Sequence, residues 1–422
     1  MPTAFKVRSF RFQFFADLLT AWGIEMEVLI LGWYVLTETD SPFLLALLGA
    51  LRFGGTLLSP LVGSLADRFA RKPMLVCIRA MFTALAMLLM VLSLSQWLEP
   101  WHVFAVAALG GLIRPADMML RQSLIADALP HELLMNAMGL SRSTVDGARI
   151  AGALAGAGLM AAIGLGPAYA VVACFYAGSV LLSLGIIGVP RDRIRVRSRP
   201  LYDLLEGLRY LRTSPVIMTL LSFAFLVNFT VLSLSGGLLP VVARDVYHVD
   251  EKGLGLMMAC FAGGALLGSL MLAARLRSRQ PARLMLFSVV VWHLLYVLFA
   301  QVDSLAIGLA LLAAIGLVSS LTMVPMASFL LIAIEPAYRA RIMGVRQLAV
   351  FGLPLGLLLA GAFIETLGVA ATFSLYAVLG AVLGAVLGLY LCRCSVAGGE
   401  VSLRVESDRS TLERSARSVS SD

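Results

Sequence analysis

Long apolar runs separated by short polar stretches make up most of this 422-residue chain. Twelve can be delimited, at 12–36, 43–65, 73–95, 101–126, 135–163, 167–189, 215–243, 253–274, 283–302, 304–333, 342–365 and 370–391. A bilayer core about 30 Å thick takes roughly 20 residues of helix, and nearly all of these runs supply that length. The pattern predicts an all-α membrane protein with twelve transmembrane helices. The polar stretches are not alike. Lys and Arg gather in the N-terminus, the even-numbered connections and the C-terminus, while the odd-numbered connections hold Arg244 and Lys252. The positive-inside rule then predicts that both termini are cytoplasmic. The border between the fourth and fifth runs is the least marked.

Composition agrees with this reading. The chain is 60% hydrophobic and 14% charged, against about 25% charged in soluble domains. The net charge of +8 falls in short loops facing an anionic leaflet, so it predicts contact with membrane lipids and no nucleic-acid partner. The first run is long and is followed by Glu38 and Asp40. That predicts an uncleaved signal anchor rather than a cleaved signal peptide. Cys77, Cys174, Cys260, Cys392 and Cys394 are scattered and imply neither a disulfide framework nor a zinc site.

The runs divide six and six. An N-terminal half is predicted over 1–190 and a C-terminal half over 215–392. Between them, 191–214 carries Arg191, Arg193, Arg195, Arg197 and Arg199, closed by Pro200. After it come Leu201, Leu204, Leu205, Leu208 and Leu211 at helical spacing, with Asp203, Glu206, Arg209 and Arg212 between them. This predicts a helix on the cytoplasmic membrane surface. The serine-rich, charged tail 393–422 is predicted to be disordered. Two six-helix halves joined by one long cytoplasmic connection are typical of transporters built from parallel repeats.

The connection between the second and third runs reads Gly63-Ser-Leu65-Ala66-Asp67-Arg68-Phe-Ala-Arg71-Lys72. Gly63 permits close helix approach. Asp67 can face a helix N-terminus or an arginine of the other half, and Arg71 and Lys72 are expected at lipid headgroups. The stretch resembles the signature cytoplasmic loop of the major facilitator superfamily, G-x-L-A-D-R-x-x-R-K. That resemblance implies the major facilitator fold and a conformational latch at Gly63, Asp67, Arg68, Arg71 and Lys72. Gln122-Ser-Leu-Ile-Ala-Asp127-Ala-Leu-Pro130, Glu206-Gly207-Leu-Arg209-Tyr210 and Glu335-Pro-Ala-Tyr-Arg339-Ala-Arg341-Ile-Met-Gly344 are similar to the branch holding the enterobactin exporter and macrolide efflux pumps. The second-half loop Arg275-Leu-Arg277-Ser-Arg279 lacks the acidic residue, so the latch is expected on one side alone.

Ionisable residues inside a bilayer cost at least a few kcal/mol on insertion scales and are functional candidates by default. Here they crowd the first half: Asp17, Glu25 and Glu27 in run one, Arg52 in run two and Arg79 in run three. Run four adds Arg114, Asp117 and Arg121, and run five adds Arg142, Asp146 and Arg149. Glu25, Arg114 and Arg149 lie near mid-depth. Glu25 and Glu27 stand about 200° apart around their helix and cannot both face one cavity. Glu25 is preferred for its depth as the proton-coupling carboxylate, with Asp117 and Glu27 as the other candidates. Arg114, Arg149 and Asp146 are the candidate cavity charges. A fixed salt bridge that orients helices stays open as the alternative for each, and for Asp146 with Arg142 and Arg149 it is preferred.

Arg114-Pro-Ala-Asp117-Met118 keeps the arginine, but neither Gln nor Gly, of the R-x-x-Q-G pattern of proton-coupled exporters in the resembled superfamily. Gly152 and Gly156 on run five form a small-xxx-small face suited to helix packing. His293, beside Trp292, reads as a packed residue. Trp22, Trp33, Phe53, Phe223, Phe225 and Phe229 are core or lipid-facing aromatics that could alternatively line a cavity.

Four histidines without metal-ligand spacing predict no metal site, no cofactor and no enzyme. The expected function is secondary active transport by a monomer in the bacterial inner membrane. The partners are protons and a small-molecule substrate, exported by alternating access. A siderophore-like metabolite and a drug or macrolide are alternative cargoes. An importer and a non-transporting sensor stay open behind them.

Overall fold

The computed structural model describes residues 3–58, 70–187, 206, 209–211, 214–274, 281–334 and 338–397. No strand occurs among them, and each of the twelve apolar runs holds helix. The first half comprises α1 (Arg8–Thr39), α2 (Pro42–Leu51), α3 (Arg71–Leu94), α4 (Pro100–Ala128), α5 (His131–Ile163) and α6 (Leu165–Leu184). The second comprises α7 (Pro215–Gly237), α8 (Glu251–Ala274), α9 (Pro281–Phe299) and α10 (Leu305–Ala333). Its eleventh run is split into α11 (Arg339–Ala349) and α12 (Gly352–Leu367), and α13 (Val369–Ala397) is the last.

Helix ends follow local chemistry. Ser41 caps α2, its Oγ accepting from the Leu44 N–H at 3.2 Å, with Pro42 at the first helical position. Glu99 and His102 form a reciprocal cap at the start of α4, again ahead of a proline. The soft border of the sequence resolves at Leu129–Pro130, between α4 and α5.

Eight helices among the described residues are long and apolar enough to cross a membrane. Only about a third of the most apolar window is buried in α3, α10 and α13 (33% each). Their remaining apolar surface faces outward, as lipid requires and water would not tolerate. α1 and α5 are long but fall outside that set, and the apolar helices at α2 and α9 are shorter.

Three runs depart from the single continuous helix expected of each. Run two breaks at Arg52 and continues as a 3₁₀ turn, Gly54–Leu58. Run seven contains a π-helical turn at Asn228–Leu232 and is interrupted at Leu238. Run eleven breaks between Ala349 and Gly352. Gly54, Gly55, Gly236 and Gly237 fall at or near the first two breaks, where glycine's freedom lowers the cost of leaving the helix. At its end the chain stays helical through Arg393 to Ala397, past the boundary expected at residue 392. The rest of the expected tail, and most of the linker and of its expected surface helix, lie outside the described residues.

Two seams join the halves: α2 against α12, and α5 against α8. Advancing each run by six positions turns one seam into the other, as expected for two parallel repeats. At the end of the bundle where α1 finishes, Glu365 of α12 accepts from Ser41 Oγ at 2.5 Å and from the Phe43 N–H at 3.2 Å. Arg244 reaches Asp40 and the Leu36 carbonyl, both at 2.8 Å.

Candidate functional site

The first half holds two polar layers about three helical turns apart along α1. The outer layer centres on Glu27. Its two carboxylate oxygens accept from Tyr169 Oη at 3.2 Å and Tyr176 Oη at 2.8 Å, both on α6. Around it lies a cleft lined by Ile24, Leu31, Arg52, Phe82, Leu85, Val106 and Arg114, with Tyr176 stacked on Phe82. Arg52 arrives there because α2 ends at that residue. Arg114 arrives there one residue before Pro115, inside α4. A close backbone crossing brings the two arginines together. A Cβ on Gly55 would stand 2.2 Å from the Gly111 carbonyl oxygen, and a Cβ on Gly111 would stand 2.3 Å from that of Leu51.

The inner layer lies toward the end where α1 begins, and it is more deeply buried. Arg79 of α3 uses all three guanidinium nitrogens. Nη2 donates to Asp17 Oδ1, Nη1 to Ser183 Oγ at 2.6 Å, and Nε to Asp117 Oδ1 at 3.4 Å. Gln13 Nε2 adds a bond to Asp17 Oδ1 at 2.9 Å. Between the layers, Thr20 Oγ1 and Ser179 Oγ share a hydrogen bond at 2.6 Å. Asp17, Thr20 and Glu27 occupy one face of α1, and Tyr169, Tyr176, Ser179 and Ser183 one face of α6. The two helices therefore meet along a polar seam.

Glu25 turns the other way. Its Oε1 lies 3.8 Å from Arg149 Nε on α5, and the Arg149 side chain is 47% exposed. Of the two acidic residues near mid-depth, Glu27 lines the cleft and Glu25 faces α5. Arg114 lies in the field of both Arg149 and Glu25, and of Arg52. Asp117 sits in the inner layer, one turn from Arg114. Asp146 is partly buried on α5, and the side chain of Arg142 lies outside the described residues. Gly152 and Gly156 pack α5 on α1: a Cβ at Gly152 would meet Glu25 Cβ at 2.9 Å, and one at Gly156 would meet Met26 Cα at 3.1 Å.

Of the expected latch, Gly63, Asp67 and Arg68 lie outside the described residues. Arg71 and Lys72 both have protein partners. Arg71 pairs with Asp127 at 2.6 Å, and Lys72 donates to the Leu184 carbonyl at 2.9 Å. The helix ends beside them supply these partners, a carboxylate and a C-terminal carbonyl free of helix bonding. His293 is fully buried, with Nδ1 on the Val289 carbonyl and Nε2 on Thr230 Oγ1. Phe225, Phe229 and Tyr376 form a stack in the second half. Among the described residues no cluster of His, Cys, Asp or Glu has metal-binding geometry.

Tyr169 and Tyr176 escaped the sequence reading, which also left Asp17 and Arg79 unassigned. The available signal was the spacing of Tyr169, Tyr176, Ser179 and Ser183. It puts four hydroxyls on one stripe of an otherwise apolar span.

A family model described as Major Facilitator Superfamily matches residues 14–354 and 221–416 of the chain. The multidrug efflux pump Tap of Mycolicibacterium fortuitum is 27% identical over 85% of this chain and 90% of its own length. The enterobactin exporter EntS of Shigella boydii is 25% identical over 74% of this chain and 75% of its own. Among solved structures, the POT family transporter PepTSo superposes with a TM-score of 0.74 at 14% identity, over 92% of this chain and 98% of that one. At that identity the likeness concerns the fold.

Proposed function

The chain belongs to the Major Facilitator Superfamily, and on that premise we propose that it exports a small amphipathic molecule bearing an acidic group, such as a siderophore, by proton-coupled alternating access. The observation that carries this is the Glu27 cleft. It puts two arginines against one carboxylate that two tyrosines already satisfy, within a wall of Leu, Val, Ile and Phe. The surplus positive charge suits an anion, and the apolar wall suits its hydrocarbon body. Similarity to the enterobactin exporter points the same way.

A second reading, export of drugs including macrolides, is favoured by the similarity to Tap and by the presence of Glu27, which can face a cationic ligand. The membrane is the bacterial inner membrane, with the arginine-rich end and both termini in the cytoplasm. The protein acts as a monomer on a small-molecule substrate, with protons as the coupling ion and lipids as its surroundings.

The carboxylates available to carry the proton include Glu25, Glu27 and Asp117. Replacing the one that does so by its amide abolishes uphill export while sparing downhill exchange. Asp67, with Gly63, Arg68, Arg71 and Lys72, latches one state at the cytoplasmic end, so Asp67→Asn slows transport without unfolding the protein.

The test is accumulation in a host stripped of its own exporters, with a catecholate siderophore, a macrolide and a cationic dye as probes. The catecholate should be depleted by the wild-type chain and retained with Arg114→Gln or Arg52→Gln. Depletion of the dye alone, lost with Glu27→Gln and kept in the arginine variants, would establish the drug reading instead. Equal accumulation of all three with and without the protein would overturn both.

A further inference from the structure

The start of α1 carries cations that the rest of the described chain does not use. Lys6, Arg8 and Arg11 are exposed. Their side chains make no ion pair or hydrogen bond among the described residues. Arg8 has only a ring beneath it, that of Phe12 at 5.5 Å. No acidic residue precedes Asp17 in the sequence, and Asp17 is buried and held by Arg79. Arg71 and Lys72, at the same end of the bundle, are by contrast satisfied within the protein.

These cations border an apolar surface. Arg8, Arg11 and Phe15 fall at i, i+3 and i+7, one face of the helix, and Phe15 is 49% exposed. The end of α6 lies beside that face. Phe12 stands so close to Gly185 that a Cβ there would lie 2.5 Å from its ring. Ser9 Oγ accepts from the Ile187 N–H at 3.1 Å. Around this junction the chain presents Leu181, Leu184 and Ile187, all more than half exposed. The groove between the two helix ends therefore has guanidinium groups at its rim and Phe, Leu and Ile along its wall.

Both parts constrain the occupant. Unpaired arginines at a rim suit a phosphodiester that carries net charge. An apolar wall beneath them suits an acyl chain. A soluble anion would leave the wall uncovered. A zwitterionic lipid brings its own cation to its phosphate and leaves the rim charge unmet. The position agrees, since the first span enters the bilayer at this end, at the level of the headgroups.

We propose that the groove between the start of α1 and the end of α6 binds one anionic phospholipid of the phosphatidylglycerol type. Its phosphate lies on Arg8 and Arg11, and an acyl chain runs along Phe15 and Leu181. The lipid clips together the ends of two helices whose polar seam carries Glu27, Tyr169 and Tyr176. The site is independent of any cargo, so it stands or falls apart from the export reading.

The test uses the full-length protein purified in detergent and needs no substrate. Native mass spectra are recorded with added phosphatidylglycerol, with phosphatidylethanolamine of the same chains, and with inorganic phosphate. Melting temperatures are measured in parallel. The wild type should retain one phosphatidylglycerol in preference to phosphatidylethanolamine. Its melting temperature should rise by a few degrees with phosphatidylglycerol and stay put with inorganic phosphate. Arg8→Gln, Arg11→Gln and Phe15→Ser should each weaken retention several-fold, while Arg8→Lys should keep most of it. Arg209→Gln removes the same charge from another exposed position and should change nothing.

Equal retention of the two lipids would overturn the site, as would an equal loss in Arg209→Gln or retention unmoved by Arg8→Gln and Arg11→Gln. A melting temperature raised as much by inorganic phosphate as by the lipid would replace the lipid with a soluble anion. If Arg11→Gln fails to fold, Arg8→Gln decides, because Arg8 is the first residue of α1.

Discussion

Arg79 joins α1, α4 and α6 from its place on α3. Truncating one partner of a buried ion pair leaves the other charge uncompensated, at a cost of about 3–5 kcal/mol. Arg79→Gln should therefore lower the melting temperature of the detergent-solubilised protein sharply. The double variant Arg79→Gln/Asp17→Asn should lose less than the sum of its parts, because the second change removes the charge that the first one strands. Additive losses would show that the two residues are not energetically coupled. Tyr176 offers a subtler case. Its hydroxyl donates to Glu27 at 2.8 Å while its ring stacks on Phe82. Tyr176→Phe keeps the ring and removes one hydrogen bond to a charged group, worth about 1.5–3 kcal/mol. The melting temperature should fall by no more than that one bond explains while substrate affinity falls several-fold, and an unchanged affinity would assign Tyr176 to the scaffold instead.

Helices meet the site where their backbones can approach closely. Gly54 and Gly55 make this testable within one dipeptide. A Cβ at Gly55 would collide with the Gly111 backbone, whereas one at Gly54 meets nothing within 4 Å. Gly55→Val should abolish the monodisperse peak in fluorescence size-exclusion chromatography, and Gly54→Val should keep it. The reverse order would mean that α2 and α4 do not cross here. The same crossing puts Arg52 beside Arg114, so losing it removes the cleft's positive charge along with its shape.

The halves are held at the end of the bundle where α1 finishes by contacts among mostly exposed groups. Asp40 is 86% exposed, so its pairing with Arg244 contributes little by itself, within the range of roughly 0–1 kcal/mol for surface pairs. Bonds of this strength suit the gate that the proposed alternating access requires. Glu365→Gln weakens the cap on α2 and should raise the rate at which an added impermeant thiol reagent modifies Leu31→Cys in the cleft by a few-fold. An unchanged rate would show that apolar packing alone closes this end. Orientation has its own test. Reporter fusions after Asp40, Leu98, Leu165, Asp250, Asp303 and Leu367 should all report the outside, and two or more reporting the cytoplasm would refute the proposed topology.

The pattern of residues alone determined that the chain crosses a membrane many times, divides into two six-helix halves and carries the signature loop of its family. These properties follow from run length, loop charge and local spacing, all of which are properties of contiguous residues. Helical periodicity also established that Glu25 and Glu27 point apart. It did not establish which of them faces the cleft. In lipid the outward face of a helix is as apolar as the inward one, so a span carries little mark of which way it is turned. Tertiary structure decided that Glu27 meets Tyr169 and Tyr176 while Glu25 turns to Arg149. It also brought Asp17, Arg79, Asp117 and Ser183 together from four separate helices. Each of those residues was visible in the sequence as a polar group inside an apolar run. Their meeting depends on the packing of both α1 and α3 against α4 and α6, which no local spacing encodes.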